Sequence, residues 1–439
     1  MPASWTIAAD WESLDVGSPE ERACFAALGI KAQGIWLTEG NDVLANRLRQ
    51  SPLLSAYHLA EWLAWNWWRL RWEPRSNAYD WPYAHRMATI GSGYIWPNIT
   101  IFSDGERIAL ISKPTTERPQ TPFRYIADHA GILPASEFES ELDLFIGQVI
   151  ERLDWASISG SNLQTIWASV CEERRVPELA RARKLEALLG RDPDAAESGV
   201  VEHLVKDIAD LGASAVEELA AEHGQSGKIL TGNHLRDVAT SYGFDAAPKD
   251  VARLPAEIGL RIGGQIPAYR VGASAARALR EQERLGEKPI SSRKLAEIAG
   301  VDQAVIDDRR GSPDISFALD EVHKNASRVV LRSKWRSGRR FELARLLGDR
   351  LARPPIGRLL PATKAYTYRQ KMQRSFAAEF LSPFSAVDEM LAGDYSMESQ
   401  QDVAEHFDVS PLTIQTLLMN HGRVERDAFD TELESAAAA

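Results

Sequence analysis

Cysteine is scarce. Cys24 and Cys171 are the only two in 439 residues, too few and too far apart for a disulfide framework or a cysteine zinc site. No run approaches the ~20 consecutive apolar residues of a membrane span, and residues 1–10 lack the basic-then-apolar pattern of a secretory signal. A cytoplasmic protein with no membrane role is expected. Glycine-rich phosphate loops, a G-x-S-x-G elbow and the kinase motif set are also missing. Arg261-Ile262-Gly263-Gly264 has no strand–turn–helix setting and signals only a turn. None of the nine histidines pairs as H-x-x-x-H, and His58, His85, His406 and His421 have no ligand partner nearby in the sequence. No cofactor is expected.

What is present describes a globular chain. Hydrophobic residues make up 44% and charged residues 26%, which excludes wholesale disorder, and the length suggests two to four domains. Ten of the 13 tryptophans fall in the first 100 residues. The run 53–72 contains neither Gly nor internal Pro and is apolar around its whole helical circumference. That pattern predicts a buried helix at the centre of an N-terminal domain, with the aromatics serving as core or as stacking platforms ringed by Arg69, Arg71, Arg75 and Arg86. Residues 99–103 and 106–112 flank Asp104-Gly105, a strong hairpin signal, and 5–8 and 34–38 read as further strands. An α+β domain over 1–130 follows. Helical periodicity then takes over at 141–155, 163–174, 177–189 and 200–211, giving a helical domain over 131–260 with a loop-rich linker near 222–232. No fixed repeat is found. Residues 261–425 form a third domain and 426–439 an acidic, alanine-rich tail.

The net charge is −11, yet residues 324–374 hold 15 Lys/Arg against two acids. That is a local +13, leaving −24 for the remainder. Arg328, Arg332, Lys334, Arg336, Arg339 and Arg340 are the candidate contacts for an anionic partner, either nucleic acid or an acidic protein face. A solvated surface, or a patch docked on the chain's own acids, is the plainer reading.

The last ~170 residues resemble a family. Ala275-Ala276-Arg277-Ala278-Leu279-Arg280, Pro289-Ile290 and Leu295-Ala296-Glu297-Ile298-Ala299-Gly300-Val301 are followed by the strand-like 328–332. Next come Arg339-Arg340-Phe341-Glu342-Leu343-Ala344-Arg345-Leu346-Leu347-Gly348-Asp349, Phe376-Ala377-Ala378-Glu379-Phe380-Leu381-Ser382-Pro383 and Val403-Ala404-Glu405-His406-Phe407-Asp408-Val409-Ser410-Pro411. Their order and spacing are similar to those of the ImmA/IrrE metallopeptidases. The resemblance implies a zincin-type α+β C-terminal domain, in a mainly α, multidomain chain, and a prokaryotic mobile-element, toxin–antitoxin or phage-defence setting.

Active relatives carry R-R-F-x-x-A-H-E-x-G-H, where two imidazoles four residues apart hold zinc and the adjacent Glu is the base on the zinc-bound water. Here those positions are Arg345, Leu346 and Asp349, and the third ligand falls at Gln370 or Met372. A guanidinium stays protonated and does not ligate zinc, and leucine accepts no proton. A pseudopeptidase without metal or catalytic residues is expected. Arg345 and Asp349, four apart, read as an ion pair replacing the metal or as an anion site. Residues 400–422 have helix–turn–helix spacing, with Thr413, Gln415, Thr416 and Asn420 on the second helix either packed or reading bases. The leading expectation is a non-catalytic recognition or regulatory subunit. The alternatives are an enzyme with its site in 1–250, or a transcriptional regulator using the C-terminal helix pair.

Overall fold

The computed structural model describes residues 4–116, 121–254, 266–308, 310–321, 326–352 and 357–424. The Arg261-Ile262-Gly263-Gly264 turn, the tail 426–439 and the basic positions Lys324 and Arg353 lie outside them. The chain is mixed, about 51% helix and 17% strand, and divides into two compact units at 201/202.

The first unit runs β1 (Trp5–Trp11), α1 (Pro19–Ala23), β2 (Phe25–Ala32), β3 (Ile35–Trp36), β4 (Gly40–Asp42), β5 (Arg47–Arg49), β6 (Leu53–Ser55), α2 (Ala56–Trp65), α3 (Trp67–Trp72), α4 (Trp81–His85), β7 (Asn98–Ser103), β8 (Arg107–Lys113), β9 (Phe123–Tyr125), β10 (His129–Pro134), α5 (Ala135–Trp155), α6 (Asn162–Arg175) and α7 (Pro177–Leu188). Three small antiparallel sheets result: β1-β2-β3 with β6 beside β2, β10-β8-β7, and β5-β4-β9. The Asp104-Gly105 hairpin forms as expected. Gly105 takes φ +96°, and the Asp104 carboxylate accepts from the Arg107 backbone N–H at 2.9 Å, an Asx turn that fixes the register.

The tryptophan run is not one helix. Its first three residues are strand β6, and Ser55 then caps α2 by accepting from the His58 N–H. Asn66 interrupts the remainder, because its side chain donates back to the Trp62 carbonyl at 2.8 Å, a local bond that competes with the helix ladder. Trp67 and Trp68 are consequently buried, while Trp65 is 55% exposed. α5 presents Phe138, Leu142, Phe145, Ile146, Val149 and Leu153 as one stripe into this same core, at the i, i+3, i+4 spacing of an amphipathic helix. A capping box of Ser161 and Gln164 opens α6. Helices α5–α7 thus complete the tryptophan core, so the unit boundary falls within the stretch that sequence groups as a helical domain.

The second unit runs α8 (Val200–Leu211), α9 (Ala213–Ser226), α10 (Gly232–Tyr242), β11 (Phe244–Ala246), α11 (Ala268–Gln282), α12 (Ser292–Ile298), α13 (Ala304–Asp307), β12 (Ser316–Asp320), β13 (Ser327–Val330), α14 (Arg336–Ala352), β14 (Leu359–Ala362), α15 (Tyr368–Leu381), α16 (Phe384–Leu391), α17 (Met397–Phe407) and α18 (Pro411–Asn420). Its sheet is antiparallel in the order β11-β13-β12-β14. α9 runs into the expected linker as far as Ser226 and is a core element, with Val216, Leu219 and Ala220 buried. Two glycines set the helix packing. A Cβ on Gly272 would sit 2.3 Å from the Met372 carbonyl, and one on Gly348 2.5 Å from the Phe376 ring. Both α11 and α14 therefore approach α15 more closely than a larger residue permits. No helix among the described residues is long and apolar enough to cross a membrane.

Candidate functional site

Helix α14 carries the positions that the family resemblance marks, and α15 brings Gln370 against them. Arg345 is 7% exposed. Its Nη2 donates to the Thr363 carbonyl at 2.7 Å, to Gln370 Oε1 and, at 3.4 Å, to Gln373 Oε1. Gln370 in turn accepts from the Thr363 N–H at 2.9 Å and donates to the Pro361 carbonyl at 3.0 Å, which Gln373 Nε2 also reaches at 3.0 Å. The end of β14 is thereby closed by side chains rather than by another strand. Leu346 sits in the apolar core. Burial, with Arg374 adding to it, pushes the Arg345 guanidinium down to about 9, so it remains a cation at neutral pH.

Arg345 and Asp349 do not pair, contrary to the spacing argument. Asp349 is fully buried and accepts from Arg369 on α15, whose Nη1 also reaches Ser214 on α9 at 3.1 Å. The two-pronged fork of Arg369 offers a planar carboxylate two parallel bonds, a geometry unavailable to Arg345, which is engaged with Thr363. Two further acids were not foreseen. Glu218 accepts from the Thr367 hydroxyl at 2.8 Å, and Glu222 accepts from the Lys364 N–H at 2.6 Å. Burial pushes both carboxyls above their ordinary range. No sequence signal pointed to them, and Glu222 fell in the stretch expected to be a linker.

This donor set does not fit zinc. Among the described residues no three His, Cys, Asp or Glu side chains converge to hold a metal ion. Arg345 and Gln370 hold each other and the β14 end, and the carboxylate at Asp349 is occupied by a guanidinium.

The basic segment is largely an internal scaffold. Arg339 and Arg340 are 2% and 1% exposed and cannot form the anion-binding face expected of them. Arg339 donates to the Val305 and Leu331 carbonyls, joining α13 and the end of β13 to α14. Arg340 reaches the Ile290 carbonyl, Ser292 Oγ and Asp408. Arg350 pairs with Asp320, and Arg358 with Asp210. Arg328 is half-buried beside Asp245, and Arg332 is partly exposed near Glu342. Lys334 and Arg336 do reach solvent, Arg336 while also facing Asp307 and Asp408 and donating to Ser292 Oγ at 2.9 Å, and between them Trp335 is 74% exposed. Ser333 fixes that turn: its N–H donates to Glu342 at 2.9 Å and its hydroxyl accepts from the Trp335 N–H at 3.2 Å. On the other side of β12, whose Ser316 pairs with Ala362 and accepts from the Arg332 N–H, Lys364 and Tyr366 are also exposed.

The helix pair α17–α18 packs. Thr413 is buried and bonded to Ser410, and Ile414, Leu417 and Leu418 face the core, leaving Thr416 exposed with Gln415 and Asn420 partly so. In the first unit, His85 is a satisfied core histidine. Its Nδ1 bonds the Ile101 carbonyl at 2.7 Å, its Nε2 bonds Glu73 at 2.9 Å, and Trp81 stacks on the ring at 4.2 Å. Arg69 donates to Glu73 at 2.7 Å and to Asp192 at 3.3 Å, so it is not a free cation beside the tryptophans. Arg71 pairs with Glu139 and donates to the Gly105 carbonyl. No family model, curated protein or solved structure matches the chain.

Proposed function

We propose that the second unit is a non-catalytic recognition module that binds an anionic partner, nucleic acid in preference to an acidic protein face. On the family resemblance it is a pseudopeptidase serving a prokaryotic mobile-element, toxin–antitoxin or phage-defence system. The observation that carries the reading is the exposed Trp335 held between Lys334 and Arg336. Two cations beside an aromatic face suit a phosphate backbone with a stacked base, and Lys364 and Tyr366 repeat that pairing across Ser316. Commitment of Arg345, Asp349 and Gln370 to internal bonds supports the non-catalytic half, since none of the positions that the resemblance marks for ligands or base is left free to hold a metal or activate water.

Binding of the full chain to a fluorescently labelled single-stranded oligonucleotide tests this. Affinity should fall steeply with salt as condensed counterions are released. Lys334→Glu with Arg336→Glu should weaken binding across sequences, and Trp335→Ala should lower it about five- to a hundredfold, the range for one stacked base. Salt-independent binding, or unchanged binding in these variants, removes the surface from the interface. Metal analysis tests the other half: about one tightly bound zinc per chain, lost in Asp349→Ala, would overturn it.

A further inference from the structure

The first unit carries a surface cleft of about 250 Å³ floored by the sheet β5-β4-β9. The register pairs Gly40 with Arg49 and Tyr125, and Asp42 with Phe123, so strand alternation sets Asp42, Arg49, Phe123 and Tyr125 on one face. All four line the cleft, with Tyr94 and Leu53 on other sides. Gly40 lets the Phe123 ring lie across β4, since a Cβ there would stand 2.3 Å from it. The opposite wall is a left-handed turn, with φ +71°, +54° and +82° at Gly91, Ser92 and Gly93. It is pinned by the Trp96 indole N–H to the Gly91 carbonyl at 2.9 Å and by the Tyr125 hydroxyl to the Ile95 carbonyl at 2.7 Å. These walls are built before any ligand arrives.

One ion pair lies in this otherwise aromatic and apolar cleft. Arg49 Nε donates to Asp42 Oδ2 at 2.9 Å, while Asp42 Oδ1 accepts from the Ala45 N–H at 2.9 Å. Asp42 therefore anchors the guanidinium by its Nε edge. The two terminal amino groups of Arg49 have no partner among the described residues. Arg47, on the same strand face and exposed, leaves the group net positive. A fixed guanidinium with its outer edge open matches a carboxylate, and the volume is just below the roughly 300–1,000 Å³ of drug-sized sites.

We propose that this cleft binds a small planar aromatic acid of one or two rings, its ring against Tyr94 and Phe123 and its carboxylate on Arg49. Calorimetric titration of the full chain with 2-naphthoate, 2-naphthalenemethanol and sodium sulfate tests this. Saturable naphthoate binding is expected, with the alcohol about tenfold weaker or worse, in line with loss of one charge-assisted bond, and with no comparable sulfate binding. Arg49→Gln should lose naphthoate affinity by about tenfold or more at an unchanged melting temperature. Leu53→Glu, at the exposed rim, should weaken the acid more than the alcohol, giving a second variant that keeps both Asp42 and Arg49. Absence of saturable naphthoate binding, equal binding of the alcohol or of sulfate, or parent-like affinity in both variants overturns the proposal.

Discussion

Arg369 closes on Asp349 from the neighbouring helix, Nε to Oδ1 at 2.8 Å and Nη2 to Oδ2 at 2.6 Å, with no solvent at the carboxylate. Glu218 also lies in the field of Arg369, but only Asp349 holds its fork, and removing one charge from a buried pair commonly costs about 3–5 kcal/mol. Asp349→Asn should therefore destabilise the second unit by about that much. The double variant Asp349→Leu, Arg369→Met should recover much of the loss, because an apolar pair leaves no charge stranded. Denaturant unfolding read by a probe attached to the second unit measures both. An Asn variant within about 1 kcal/mol of the parent would mean that water reaches the site.

The tryptophans divide by position within a few residues. Trp67→Ala and Trp68→Ala should each cost about 3–5 kcal/mol, the range for truncating a buried aromatic, while Trp65→Ala should stay within about 0.5 kcal/mol. Thermal melts of the three variants decide it. Equal losses at all three would mean that Trp65 is covered in solution.

Buried carboxyls in the two units should respond to pH in opposite directions. Glu218 and Glu222 have folded-state carboxyls raised by burial, so the folded form holds protons that the unfolded chain has released. Their stabilisation is complete below the unfolded value of about 4.3 and declines as pH rises through the higher folded value. Glu73 is the reverse. Burial pushes its carboxyl up, but His85 and then Arg69 outweigh it and leave it below its ordinary range. Its stabilisation is complete above about 4.3 and is lost as pH falls through the lower folded value. Glu218→Gln should flatten the neutral-side decline of the second unit without altering the acid limb of the first. Hydrogen exchange resolved by unit, between about pH 4 and 8, follows both. A second unit equally stable in parent and Glu218→Gln across that range would show the carboxyl to be solvated.

Local signals were legible and distant partners were not. The 177–189 helix and the 104–105 hairpin were legible because proline at a helix start, charge patterning and turn chemistry act within a few residues. The helix through Trp65 was misread because a run apolar on all sides gives no hint that Asn66 will bond backwards and divide it. Counting charges over 324–374 misplaced Arg339 and Arg340 at the surface for a different reason. Arg339 donates to backbone carbonyls, which every residue owns and no sequence displays, and Arg345 is held by the Thr363 carbonyl and two neutral glutamine oxygens. Amphipathic patterning in α5–α7 reported that one face is covered, but not that the covering partner is the tryptophan core. The partner of Asp349 came from twenty residues away instead of four, since fork geometry outranks helical proximity.

Twelve of the thirteen tryptophans lie before residue 202, and the thirteenth is the exposed Trp335. Intrinsic emission from the whole protein is therefore an optical record of the first unit. Trp335 is surrounded by water in the folded state and again when unfolded, so its spectrum scarcely shifts as the second unit melts. A single sharp fluorescence transition would look like one cooperative event while half of the chain went unseen. Circular dichroism, to which the helices of both units contribute, would show the missing step.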